Sequence, residues 1–116
     1  MQNLNQIRAK SAWRLSSLDV KGEKGGDRKG VISKLPTMII QNGLLATLAS
    51  AAEKQGYRRV FDIAAEHCCS RNIVTAHTCA DLLKELRDGD SDKLREVSAE
   101  IMAWLVFAKR VPYSNN

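Results

Sequence analysis

No stretch of this sequence approaches the roughly 18 consecutive apolar residues that a membrane span requires, and its start, MQNLNQIRAK, lacks the charged-then-apolar order of a signal peptide. A soluble, cytoplasmic protein is therefore expected. Only two prolines and seven glycines occur, too few for a collagen-like or long disordered tract. Cysteine is equally sparse, with three residues of which Cys68 and Cys69 are adjacent. An odd number in that arrangement makes a poor disulfide framework, so reduced thiols are expected. Period-two alternation of apolar and polar residues is missing throughout, which argues against an exposed sheet.

What remains is one domain's worth of chain. The 116 residues, 44% hydrophobic and 27% charged, suffice for a single core that removes about two-thirds of the unfolded surface from water. The net charge of +5 is unevenly placed. Residues 1–34 carry eight basic side chains (Arg8, Lys10, Arg14, Lys21, Lys24, Arg28, Lys29 and Lys34) against Asp19, Glu23 and Asp27. The other 82 residues are balanced, ten against ten. All the excess positive charge thus lies in the first third of the chain, which points to a local contact with a polyanion, nucleic acid first among them.

Helical periodicity covers most of the sequence. Leu4, Ile7, Ser11, Leu15 and Leu18 form one stripe of a helix over residues 3–19, with Trp13 on the opposite side and Lys10 and Arg14 between. Trp13 is expected to pack under the segment that follows, with contact to a partner as the alternative. That segment, KGEKGGDRKG at residues 21–30, has four glycines and no apolar side chain, and is expected to be a flexible basic loop. Leu44–Lys54 is rich in strong helix formers and closes on Gly56 as a cap. Further helices are expected from about Arg58 to Ser70, from Thr78 as N-cap to near Gly89, and from Ser91 or Asp92 to a stop at Pro112.

The stretch SKLPTMIIQNG, Ser33–Gly43, carries conflicting signals. Asn42-Gly43 is a hairpin dipeptide, yet Pro36 and the Leu35, Met38, Ile39 spacing suit a helix. Beyond it, Leu44, Leu45, Leu48 and Ala49 keep the helical period, so helix is the reading, with Gly43 as a left-handed C′ residue. Val31 and Ile32 favour a helix that begins near Lys29 and contains Pro36, over one capped by Ser33. The fold expected is all-α, a compact bundle of five to six helices in one domain, residues 1–116.

Chemistry is thinly represented. His67, Cys68, Cys69, His77 and Cys79 put five candidate ligands within 13 residues. They lack C-x₂-C or H-x₃-H spacing, and neighbouring Cys68 and Cys69 diverge by about 100° on a helix. No metal site is expected. Asp62 with Glu66, and Glu85 near Asp81, have the spacing of solvated helix faces. The glycine-rich loop lacks the strand, lysine and Ser/Thr of a phosphate-binding loop. No catalytic residue and no cofactor are expected. Basic residues beside aromatics recur at Trp13-Arg14, Tyr57-Arg58-Arg59 and Lys109-Arg110 with Tyr113, without the signature of an RNA-recognition or zinc-finger module. A helical DNA-binding regulator of helix-turn-helix type is the alternative that this pattern keeps open.

Lys34-Leu35-Pro36, Met38-Ile39 and Asn42-Gly43-Leu44 resemble the K-L-P-x-M-I-x-x-N-G-L signature of the Cmr small-subunit family, the helical small protein of type III-B CRISPR effector complexes. Gln6-Ile7-Arg8-Ala9 through Ala12 is similar to that family's first helix, and Trp104-Leu105 with Lys109-Arg110 to its last. The resemblance implies a non-catalytic subunit that stacks, in more than one copy, along the ribonucleoprotein against the repeated backbone subunits, and that helps line a basic channel for target RNA in antiviral defence. Its partners would be the other Cmr subunits, further copies of itself, and the guide and target RNA. The candidate RNA contacts are Arg14, Lys21, Lys24, Arg28, Lys29 and Lys34. Residues Cys68–Asp92 match no family motif, and no role for Cys68, Cys69 or Cys79 follows from the sequence.

Overall fold

The computed structural model describes residues 2–17 and 28–111. Among them are six α-helices: α1 (Leu4–Ala12), α2 (Arg28–Asn42), α3 (Leu44–Ala52), α4 (Gln55–Ser70), α5 (Cys79–Asp88) and α6 (Ser91–Ala108). No strand occurs among the described residues, so the chain has the all-α class expected of it. α1 begins at a capping box in which the Asn3 side chain accepts the Gln6 N–H and the Gln6 side chain accepts the Asn3 N–H, both at 2.8 Å. It is shorter than the expected helix over 3–19. After Ala12 the chain tightens into a 3₁₀ turn, Trp13–Ser17, with Ala12 and Leu15 wholly buried.

The longer form of the second helix is the one observed. α2 runs from Arg28 through Pro36 to Asn42, so residues 28–30, expected to belong to the loop, form its first turn instead. The reason is packing: Val31, Ile32, Leu35 and Ile39 are all buried, and that stripe carries the helix a full turn before Ser33. Ser33 is no cap, since its hydroxyl donates back to the Gly30 carbonyl at 3.0 Å. The rest of the expected flexible loop, residues 21–27, lies outside the described residues.

At Gly43 the chain passes from α2 to α3 without a spacer. Its φ of 84° is positive as expected, but ψ is 161°, which is the extended glycine-only region and not the left-handed helical one. The Gly43 N–H donates to the Ile39 carbonyl at 2.8 Å, and its own carbonyl accepts the Thr47 hydroxyl at 2.8 Å. A Cβ placed here meets nothing within 4 Å. Gly43→Ala is therefore expected to destabilise by about 1–3 kcal/mol through backbone strain alone, read as a lower urea midpoint with an unchanged slope.

α4 packs against every other described helix and buries Val60, Phe61, Ile63, Ala64, Ala65, His67 and Cys68. Gly56 does not cap α3, as the sequence suggests, but sits buried in the first turn of α4; α3 stops at Ala52, and Lys54, in extended conformation, is the N-cap of α4. α4 ends through Asn72, whose φ of 61° lets the Ile73 N–H reach the Cys68 carbonyl at 3.0 Å.

The connection to α5 is pinned from two sides. The Glu85 carboxylate accepts the N–H groups of Thr75 and Ala76 and the Thr75 hydroxyl, at 2.9–3.2 Å. The Lys93 ammonium donates to the Ile73 carbonyl at 2.7 Å. Asp62 accepts the Cys79 N–H at 2.7 Å, placing a carboxylate at the positive end of α5, whose N-cap is Thr78 as expected. Asp62 and Glu85 thus hold backbone together, where spacing alone reads them as solvated surface. Asp90 caps α6, and Val97, Ile101, Trp104 and Leu105 carry it into the core.

Candidate nucleic-acid interface

The tertiary structure disperses the ligand-like residues that the sequence crowds together. The His67 side chain has no exposure, and its Nε2 lies 2.8 Å from Glu100 Oε2. Burial holds its pKa below the ordinary histidine value, against the pull of the Glu100 carboxylate. Neutral His67 therefore donates its Nε2–H to Glu100. Burial also pushes the Cys68 thiol up to about 12 and the Cys79 thiol to about 11, so both stay protonated as small core side chains. Cys69 and His77 keep company, Sγ to Nε2 at 3.8 Å. Among the described residues no three His, Cys, Asp or Glu side chains gather in a way that would hold a metal ion.

Glu100 is the centre of a cluster that the sequence does not announce. Arg8 of α1 reaches it with two hydrogen bonds, Nε to Oε2 at 2.8 Å and Nη2 to Oε1 at 2.9 Å. Those bonds hold the Glu100 carboxyl at about 2, against the burial that opposes its ionisation, and the bond from His67 acts in the same direction. Three helices are joined by one carboxylate. Arg8 counted as part of the N-terminal basic excess, yet its charge is neutralised inside the fold. The only sequence signal for this was an acidic residue, Glu100, one position before the apolar Ile101 on the inward face of α6.

The six candidate RNA contacts are distributed unequally. Arg14 stands on the 3₁₀ turn, about half exposed, and pairs with Glu66 of α4. Lys34 is exposed on α2. Arg28 and Lys29 open α2, and Lys21 and Lys24 lie outside the described residues. α1, which leads into the turn carrying Arg14, and α2, which carries Lys34, both pack on α4 and α6. Of the further basic positions, Lys54 places its ammonium 5.7 Å from the centre of the Tyr57 ring. Arg58, Arg59, Lys109 and Arg110 are all exposed.

The two tryptophans have opposite fates. Trp104 is wholly buried and stacks on His67, ring centres 6.1 Å apart. Trp13, expected to pack under the following segment, is 55% exposed. Ala12 and Leu15 take the inward positions of the turn, and a residue between them must face out.

Comparison with known proteins adds a family and a fold. No curated protein matches the chain. A crystal structure of a CRISPR-associated Cmr5 family protein from Thermus thermophilus superimposes with a TM-score of 0.76 at 21% sequence identity, covering 96% of this chain and 95% of that one; at that identity the likeness speaks for the fold. The family model for the CRISPR-associated protein Cas_Cmr5 matches residues 4–114. Since that match takes in every described helix, the chain belongs to the Cmr5 family of CRISPR-associated proteins.

Proposed function

We propose that this chain is a non-catalytic small subunit of a type III-B CRISPR effector complex, stacked along the ribonucleoprotein and offering target RNA a basic, sequence-independent surface. Membership of the Cmr5 family supports the complex. The observation that carries the RNA-binding part is the concentration of the chain's excess positive charge in residues 1–34, of which Lys34 stands exposed on α2. Arg14, Lys21, Lys24, Arg28, Lys29 and Lys34 neutralise backbone phosphates in this reading, and base pairing with the guide reads the sequence.

Co-expression with the other Cmr subunits and a guide RNA tests the assembly. The chain is expected to co-purify with them in more than one copy per complex. Recovery of the chain free of the complex, with tight binding to one palindromic duplex, would replace this reading with that of a helix-turn-helix regulator.

A further inference from the structure

Trp13 stands out among the exposed side chains. Among the described residues three large hydrophobics are substantially exposed, Trp13, Ile40 and Val106, and of these only Trp13 has an aromatic face. It cannot be turned inward without displacing Ala12 or Leu15, both at zero exposure. Two cationic residues stand close to it along the chain. Lys10 lies three residues back on the same side of the helix and is exposed. Arg14 follows directly and is paired with Glu66 of α4, which ties the turn that carries the indole to that helix.

An exposed aromatic face flanked by cations is the arrangement that binds single-stranded nucleic acid without reading its sequence, since every base has a π-face and every nucleotide a phosphate. We propose that Trp13 is a stacking platform for an unpaired base of single-stranded RNA, with Lys10 beside it for the adjoining phosphate. This rests on the RNA-binding reading above and deepens it by naming the contact. A protein partner on the same indole would gain nothing from the flanking positive charge unless it were acidic, whereas RNA uses both features together.

The two tryptophans make the test direct. The complete chain is titrated at low salt with an oligouridine of about 15 nucleotides, within the length that one small single-strand site covers, while intrinsic fluorescence and, separately, filter retention are followed. The expected result is quenching of the exposed tryptophan, lost in Trp13→Phe because the remaining Trp104 is buried. Trp13→Leu is expected to weaken retention about 5- to 100-fold, and Trp13→Phe by less, because phenylalanine keeps a π-face. Thermal midpoints of both variants should stay near that of the parent, as the position is more than half exposed.

Retention without quenching, with Trp13→Leu binding as tightly as the parent, overturns the stacking contact and leaves the basic surface standing. No retention at low salt overturns both. A Trp13→Leu chain that keeps its RNA affinity but no longer co-purifies with the Cmr subunits makes Trp13 a protein contact, and the proposal fails.

Discussion

Glu100→Ala is expected to cost about 3–5 kcal/mol of folding stability, read as a large fall in urea midpoint. The carboxylate is nearly buried, at 6% exposure, and serves two partners at once, Arg8 on α1 and His67 on α4. Removing it leaves a guanidinium at 17% exposure without its counter-ion and the N–H of a wholly buried imidazole without an acceptor. Both are desolvation costs that the fold has no means to recover. Replacing Arg8 by Met and Glu100 by Leu together removes both charges and is expected to restore the part of the loss that comes from the unpaired guanidinium, because apolar packing can substitute for a buried ion pair, while the His67 N–H stays without its acceptor. A double-mutant cycle on Arg8 and Glu100 should then give a coupling of about 1–3 kcal/mol.

The same cluster sets the response to acid. His67 is held neutral in the fold below its ordinary value of 6.5, so beneath that pH the unfolded chain takes up a proton that the folded chain refuses. Stability is present above about pH 6.5 and is lost progressively as the pH falls toward the folded value. Glu100 acts in the same direction lower down. Its carboxyl, at about 2 against an ordinary 4.5, contributes stability above pH 4.5 that is lost as the pH drops toward 2. The parent should therefore weaken in two stages on acidification, and Glu100→Ala should lack the lower one. Urea melts from about pH 8 down to about pH 3 measure both.

Replacing Arg14, Lys21, Lys24, Arg28, Lys29 and Lys34 together by alanine is expected to flatten the salt dependence of target-RNA binding by the assembled complex. Each phosphate contact to a single strand contributes about 0.7 to the slope of log affinity against log salt, so six contacts account for a slope of about 4. Over a fourfold rise in salt that is a difference of more than about 100-fold in affinity. Arg14 should contribute least, because part of its charge is engaged by Glu66. Discrimination between matched and mismatched target should be unaffected, as phosphate contacts carry no base information. An unchanged salt slope would sink the basic-surface reading.

The helical class was legible because it depends on short-range spacing. The three-and-four period through Leu44, Leu45 and Leu48, and through Val97, Ile101, Trp104 and Leu105, can be counted along the chain. Gly43 was legible as a positive-φ position because helical patterns on both sides leave it no other place. Its exact backbone region was not, since that depends on the angle at which α3 leaves α2. Residues 28–30 were read both ways, as the end of the basic loop and as the start of the helix, for a related reason. Glycine and charge dominate locally, and it is the burial of Val31 and Ile32 against the rest of the bundle that draws the helix back to Arg28.

For the candidate interface the division is sharper. Charge bias is a property of composition, so the basic first third of the chain could be read directly. Which of its side chains remain available is a matter of partners, and those come from far away. Arg8 is taken by Glu100, 92 residues on, and Arg14 is tied to Glu66. Asp62 and Glu85 looked like solvated surface and turned out to hold backbone, because the groups they bind sit on other elements. By itself the sequence determined helix type, core stripes and net charge, all of which follow from neighbours within a few turns. The pairing of Arg8 with Glu100 and His67, the burial of Trp104 and the exposure of Trp13 were decided only by tertiary packing, which brings together groups whose separation along the chain carries no signal.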